Sequence, residues 1–143
     1  MSLLIWLPLD GNFNNQGLSG QLNFTTTGTV SDADGKIGQS KAFSSSNIIA
    51  PYNFTLGNEA SMCLWVYYTA FPSTSSNDWL CELASTSGYT NAVLGLSTYH
   101  KTYLAVMAGG KSDSTYTHGF SLNTWYHIAI VKKSATVYLY ING

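Results

Sequence analysis

Turn-forming clusters break this chain at short intervals, and the runs between them alternate with a period of two and are rich in β-branched and aromatic residues. Helical periodicity is nowhere sustained. The clearest run is Ser61 to Thr69, where Met62, Leu64, Val66 and Tyr68 oppose Cys63, Trp65 and Tyr67. Both sets are apolar, so this strand is either covered on both sides or lines a groove on one. The surest pair is Trp125 to Val131 with Thr136 to Ile141, joined by a turn through Lys132-Lys133-Ser134-Ala135. Other predicted strands are Leu3 to Leu9, Leu22 to Thr27, Ser40 to Phe43, Asn47 to Ala50, Trp79 to Ala84, Ala92 to Ser97, Tyr103 to Ala108 and Thr115 to Phe120. Asp32-Ala33-Asp34-Gly35 reads as a turn, and Thr98 to Lys101 as the bend of a hairpin. So many short antiparallel strands imply a sandwich or a barrel.

At 143 residues the chain has the length of one domain. Such a globule buries roughly two-thirds of its unfolded surface without a metal or disulfide staple. Only 9% of residues are charged, against about 25% in an average domain, and all six cations are Lys. The one adjacent basic pair, Lys132-Lys133, makes no basic stripe for nucleic acid. Coiled coils are excluded by the same scarcity, and disorder by 45% hydrophobic residues. The surface is left to Ser, Thr, Asn, Gly and Tyr.

Leu3 to Leu7 has no preceding positive charge, is short for an export segment and runs into Asp10-Gly11, so it reads as a strand rather than a leader. No run approaches the ~20 apolar residues of a membrane span. Asn23-Phe24-Thr25 and Asn53-Phe54-Thr55 match the glycosylation pattern but lack that export context. Cys63 and Cys81 lie in apolar runs, where buried free thiols are the usual outcome and a disulfide the alternative. Asn142-Gly143 is a favoured type I′ hairpin dipeptide, which leads to the expectation that the domain continues past it.

Taken in order, Gly35-Lys36-Ile37-Gly38-Gln39-Ser40-Lys41-Ala42-Phe43, Ser61-Met62-Cys63-Leu64-Trp65-Val66, Trp125-Tyr126-His127-Ile128-Ala129-Ile130-Val131 and Val137-Tyr138-Leu139-Tyr140-Ile141-Asn142-Gly143 form a pattern. It resembles the laminin-G-like, concanavalin A-like lectin/glucanase superfamily in its bacterial and phage branch, over nearly the whole chain. The resemblance implies an all-β, antiparallel jelly-roll sandwich. One such domain would span residues 1–143, short of its last strands.

Glycosidases of this superfamily place carboxylates about 5 Å apart on one strand face. Here Glu59 and Glu82 are far apart in sequence, no Glu-x-Asp-x-Glu-type motif is present, and no Gly-x-Ser-x-Gly elbow suggests a serine nucleophile. The expectation is therefore a non-enzymatic domain. His100, His118 and His127 lack metal-ligand spacing, and His127 reads as part of the Trp-x-His core pattern. No cofactor is required, although the resemblance raises calcium. Asp32 and Asp34 can supply two carboxylates, with Asp10 nearby if the strands align; a solvated turn is the simpler reading.

Sugar recognition needs exposed aromatic faces beside amides, hydroxyls and carboxylates. Trp79, next to Asn77 and Asp78, is the leading candidate, with Tyr89, Tyr99, Tyr116, His118, Asn91 and Asp113 in or beside loops. Trp6, Trp65 and Trp125 read as core, unless the face of Trp65 lines a groove. The resulting expectation is a carbohydrate-recognition or adhesion module on a phage or prophage virion protein, directed at a bacterial surface polysaccharide and located on a virion or outside the cell. Virion proteins fold in the cytoplasm and need no export signal. The alternatives are an assembly domain that contacts protein, including a homo-oligomer, and a laminarinase-like hydrolase.

Overall fold

The computed structural model describes residues 7–10, 12, 16–17, 24–49, 59–71, 77–84, 92–99, 102–108 and 111–143. Among them are nine strands and no helix: β1 Thr25–Asp34, β2 Gln39–Ile49, β3 Glu59–Tyr67, β4 Asn77–Ala84, β5 Ala92–Tyr99, β6 Tyr103–Ala108, β7 Lys111–Thr117, β8 Trp125–Lys133 and β9 Thr136–Ile141. Every pairing between them is antiparallel. The chain divides into two compact units, Met1–Tyr52 and Asn53–Gly143.

The first unit holds the ribbon β1-β2. The turn expected at Asp32 to Gly35 falls later, because Asp32 and Asp34 still pair with Lys41 and Gln39. The chain reverses between Gly35 and Gly38, where the Gly35 N–H donates to the Gly38 carbonyl at 3.0 Å. Ser40 to Phe43 and Asn47 to Ile49 are parts of one strand, interrupted by a bulge rather than a loop. The ladder slips between Thr27 and Thr29, with Gly28 at φ +76° and Ser45 at φ +46°. Gly28 has no room for a side chain, since a Cβ there would stand 2.5 Å from the Ser45 carbonyl oxygen. Of the predicted first strand, Leu7 to Leu9 lies outside any strand and residues 3–6 lie outside the described residues.

The second unit pairs a three-stranded sheet, β3-β8-β9, with a four-stranded sheet, β4-β5-β6-β7. The chain leaves β3, builds the second sheet as a meander and returns as β8 beside β3. A single buried cluster draws on both sheets: Val66, Tyr68, Ile128 and Ile130 from one side, Leu94, Leu96, Leu104 and Val106 from the other. This is the two-layer core of a sandwich, and period two creates it. Met62, Leu64 and Val66 align with Ile130, Ile128 and Tyr126, and Leu139 and Ile141 extend those rows across β9. Each fully buried Leu or Ile contributes roughly 1.5–3 kcal/mol of transfer free energy. β6 and β9 have the bounds expected from sequence. The β8-β9 turn is tighter than expected, because Lys133 already pairs with Thr136 and only Ser134 and Ala135 are left to connect them.

Candidate functional site

The alternation that sends Met62, Leu64 and Val66 inward sends Cys63, Trp65 and Tyr67 to the opposite face, where all three are exposed. Register then assembles an aromatic surface across the three strands. Tyr67 stands opposite Trp125 and Trp65 opposite His127. Cys63 faces Ala129, which faces Tyr140, and Ser61 faces Val131, which faces Tyr138. The last row is Glu59, Lys133 and Thr136. Both cross-strand aromatic pairs are in ring contact: Trp65 and His127 with centroids 5.2 Å apart and planes inclined 54°, Tyr67 and Trp125 at 5.2 Å and 44°.

Trp65 is thus not core, as the sequence suggested; it is 44% exposed, and Tyr67, Tyr138 and Tyr140 are comparably open. Trp125 and His127 are half-buried on this same outer face. His127 is fixed at the end of the sheet by a reciprocal contact with Asn142. Its N–H donates to Asn142 Oδ1 at 3.0 Å, and the Asn142 N–H donates to the His127 carbonyl at 2.8 Å. Asn142 and Gly143 take φ +57° and +102°, the left-handed conformation that Asn and Gly tolerate best. Sequence reasoning leaves this face open because a strand with two apolar sets does not say which set is inside. The signal lies in β9, where exposed Tyr138 and Tyr140 alternate with Val137, Leu139 and Ile141.

The candidates proposed from loops fare differently. Tyr89 and Asn91 lie outside the described residues. Trp79, Tyr99 and Asp113 have described backbones in β4, β5 and β7, with Trp79 paired to Ser97 and Asn77 to Tyr99. Tyr116 is exposed on β7. His118 is only 5% exposed, stacked on Phe120 at 4.2 Å and tilted against Phe71 at 5.7 Å. It packs into the interior of the second unit. Its Nδ1 accepts the Phe120 N–H at 3.1 Å, and its own N–H donates to the Thr102 carbonyl at 2.8 Å. Burial pushes its pKa down. Among the described residues, His118 Nε2 and Ser97 Oγ are buried side-chain atoms without a hydrogen-bond partner.

Asp32 makes an ion pair with the nearly buried Lys41 across the ribbon, so its carboxylate is engaged within the strand ladder. Asp34 lies on the same strand, and Asp10 Oδ1 accepts the Gln39 N–H at 3.0 Å. No group of three or more His, Cys, Asp or Glu able to hold a metal occurs among the described residues. The two Glu residues fall in different sheets, Glu59 on β3 and Glu82 on β4, where partial desolvation lifts the Glu82 carboxyl above its usual range. Cys63 and Cys81 are both free thiols. Burial, helped by the nearby Cys63, pushes the Cys81 thiol up to about 12. No helix among the described residues is long and apolar enough to cross a membrane, a statement that does not bear on β-barrels.

A sequence model of the laminin-G type, described as the concanavalin A-like lectin/glucanases superfamily, matches residues 38–143. No curated protein and no solved structure gives a significant match to the chain.

Proposed function

We propose, from the premise that this chain belongs to the concanavalin A-like lectin/glucanase superfamily, that it is a non-catalytic carbohydrate-recognition module whose ligand lies on the outer face of β3, β8 and β9. The observation that carries this reading is the aromatic surface centred on Trp65, Tyr67, Trp125 and His127. Rings held by a rigid sheet can cover the C–H faces of sugars, and tyrosine hydroxyls bond to theirs. The separation of Glu59 and Glu82 into different sheets supports the absence of a paired-carboxylate mechanism. The family match begins within the turn before β2 and runs to the end of β9, which supports reading the chain as one domain of this superfamily.

The setting on a phage or prophage virion, facing a bacterial polysaccharide, rests on the sequence resemblance to bacterial and phage members. A glycan array probed with the 143-residue chain tests the reading. Binding to one or more polysaccharides is expected, with no release of reducing sugar from β-glucans. Failure to bind any glycan would favour an assembly domain instead. Reducing-sugar release that is lost in Glu82→Gln would restore the hydrolase.

A further inference from the structure

Resting on the carbohydrate-binding reading, we propose that the outer face of β3, β8 and β9 binds the interior of a single uncharged polysaccharide chain lying along the strands, not a chain end and not the flat surface of a packed fibre. The inclination of the rings carries this. Trp65 and His127 are tilted 54° to one another, and Tyr67 and Trp125 44°. No flat surface can lie against both rings of such a pair, whereas one sugar chain can lie over the inclined faces that the pair presents.

The rings are also aligned. The two pairs are successive along the strands, two residues or about 7 Å apart, and the tyrosines of β9 continue the surface beyond them. From the Tyr67 row to the row of Ser61 and Tyr138 is six residues, about 20 Å, room for several consecutive sugar rings. In the two rows flanked by Tyr140 and Tyr138, β3 contributes only Cys63 and Ser61, so the larger rings stand to one side of a lower floor. The positions lie in line and do not converge round a point, as capture of a chain end requires. Charge on this face is sparse. Only the last row carries it, and there Glu59 and Lys133 face each other with opposite signs. No field of one sign favours a uronic or sulfated chain.

The test is calorimetric titration of the 143-residue chain with neutral gluco-oligosaccharides from di- to octasaccharide. The same oligosaccharides reduced with borohydride, polygalacturonate and microcrystalline cellulose serve as comparison probes. Affinity is expected to rise about tenfold or more with chain length, as successive rings engage. It should be unaffected by reduction of the end and lower for polygalacturonate and cellulose. Tyr140→Ala should flatten the length dependence and Tyr140→Phe largely retain it, with thermal unfolding confirming that both variants are folded. Length-independent binding, loss on end reduction, or preference for the fibre or the acidic polymer overturns the inference and leaves carbohydrate binding intact. Absence of binding to every probe, together with a blank glycan array, removes both.

Discussion

Asp10 Oδ1 accepts the backbone N–H of Gln39 at 3.0 Å, so the aspartate that follows the first apolar run is tied to the start of β2. The same oxygen lies 2.8 Å from where a Cβ on Gly38 would stand, and Gly38 holds φ +62°. One contact thus accounts for an aspartate and a glycine separated by 28 positions. Gly38→Ala is expected to cost about 1–3 kcal/mol, from strained backbone and a displaced carboxylate. Asp10→Asn, which keeps an acceptor, should cost less than Asp10→Ala. Thermal unfolding of the three variants checks this, and a Gly38→Ala protein that melts with the wild type would contradict it.

Tyr68 and Thr98 share a hydrogen bond of 2.7 Å across the core of the second unit. Removing either partner strands the other, so Tyr68→Phe and Thr98→Val should each lose about 1–3 kcal/mol, while the double variant loses less than their sum. Burial outweighs that bond and pushes the Tyr68 hydroxyl up to about 12. A raised pKa stabilises the fold fully below about 10, the unfolded value, and that contribution is lost as pH climbs through about 12. Urea unfolding of wild type and Tyr68→Phe across that alkaline range should therefore converge.

His118 titrates in the opposite sense. Its neutral ring is buried between Phe71 and Phe120, so its folded pKa lies below the unfolded value of about 6.5. Below about pH 6.5 the unfolded chain takes up a proton that the folded chain resists. The contribution is therefore complete above that pH and falls away as acid is added. His118→Asn, which keeps an acceptor for the Phe120 N–H, should show a flatter decline of urea midpoint between neutral and acidic pH than the wild type. Parallel declines would count against this assignment.

The two thiols should differ sharply in reactivity. Cys63 is exposed on the aromatic face, whereas the Cys81 thiol, raised to about 12, is nearly all protonated at neutral pH. An aromatic disulfide reagent should label one thiol in the native protein and two after denaturation. Peptide mapping should place the first at Cys63. Because Cys63 sits in the row next to Trp65 and His127, that label should also block glycan binding.

How far the sequence reaches can be judged from particular residues. Period two located β3, β6, β8 and β9, because alternation is a local property that survives into the fold. Sequence alone leaves Trp65 between core and groove because both faces of its strand are apolar, and only pairing with β8 and β9 decides which face is covered. Asp and Gly at positions 32 to 35 predict a turn at Asp32. Its ion pair with Lys41 depends on a cross-strand register that the turn residues alone do not reveal. His118 reads as a loop residue in the sequence, and its burial follows from ring packing by Phe71 and Phe120, which are distant or unremarkable in sequence.

The aromatic face is tested most directly by the indole signals in a nitrogen–proton correlation spectrum, titrated with a glycan that the array identifies. Among the four tryptophans, the indoles of Trp65 and Trp125 are expected to shift on binding. Shifts confined to Trp79, with Trp65 and Trp125 unmoved, would contradict the aromatic face as the binding surface and move the site to β4.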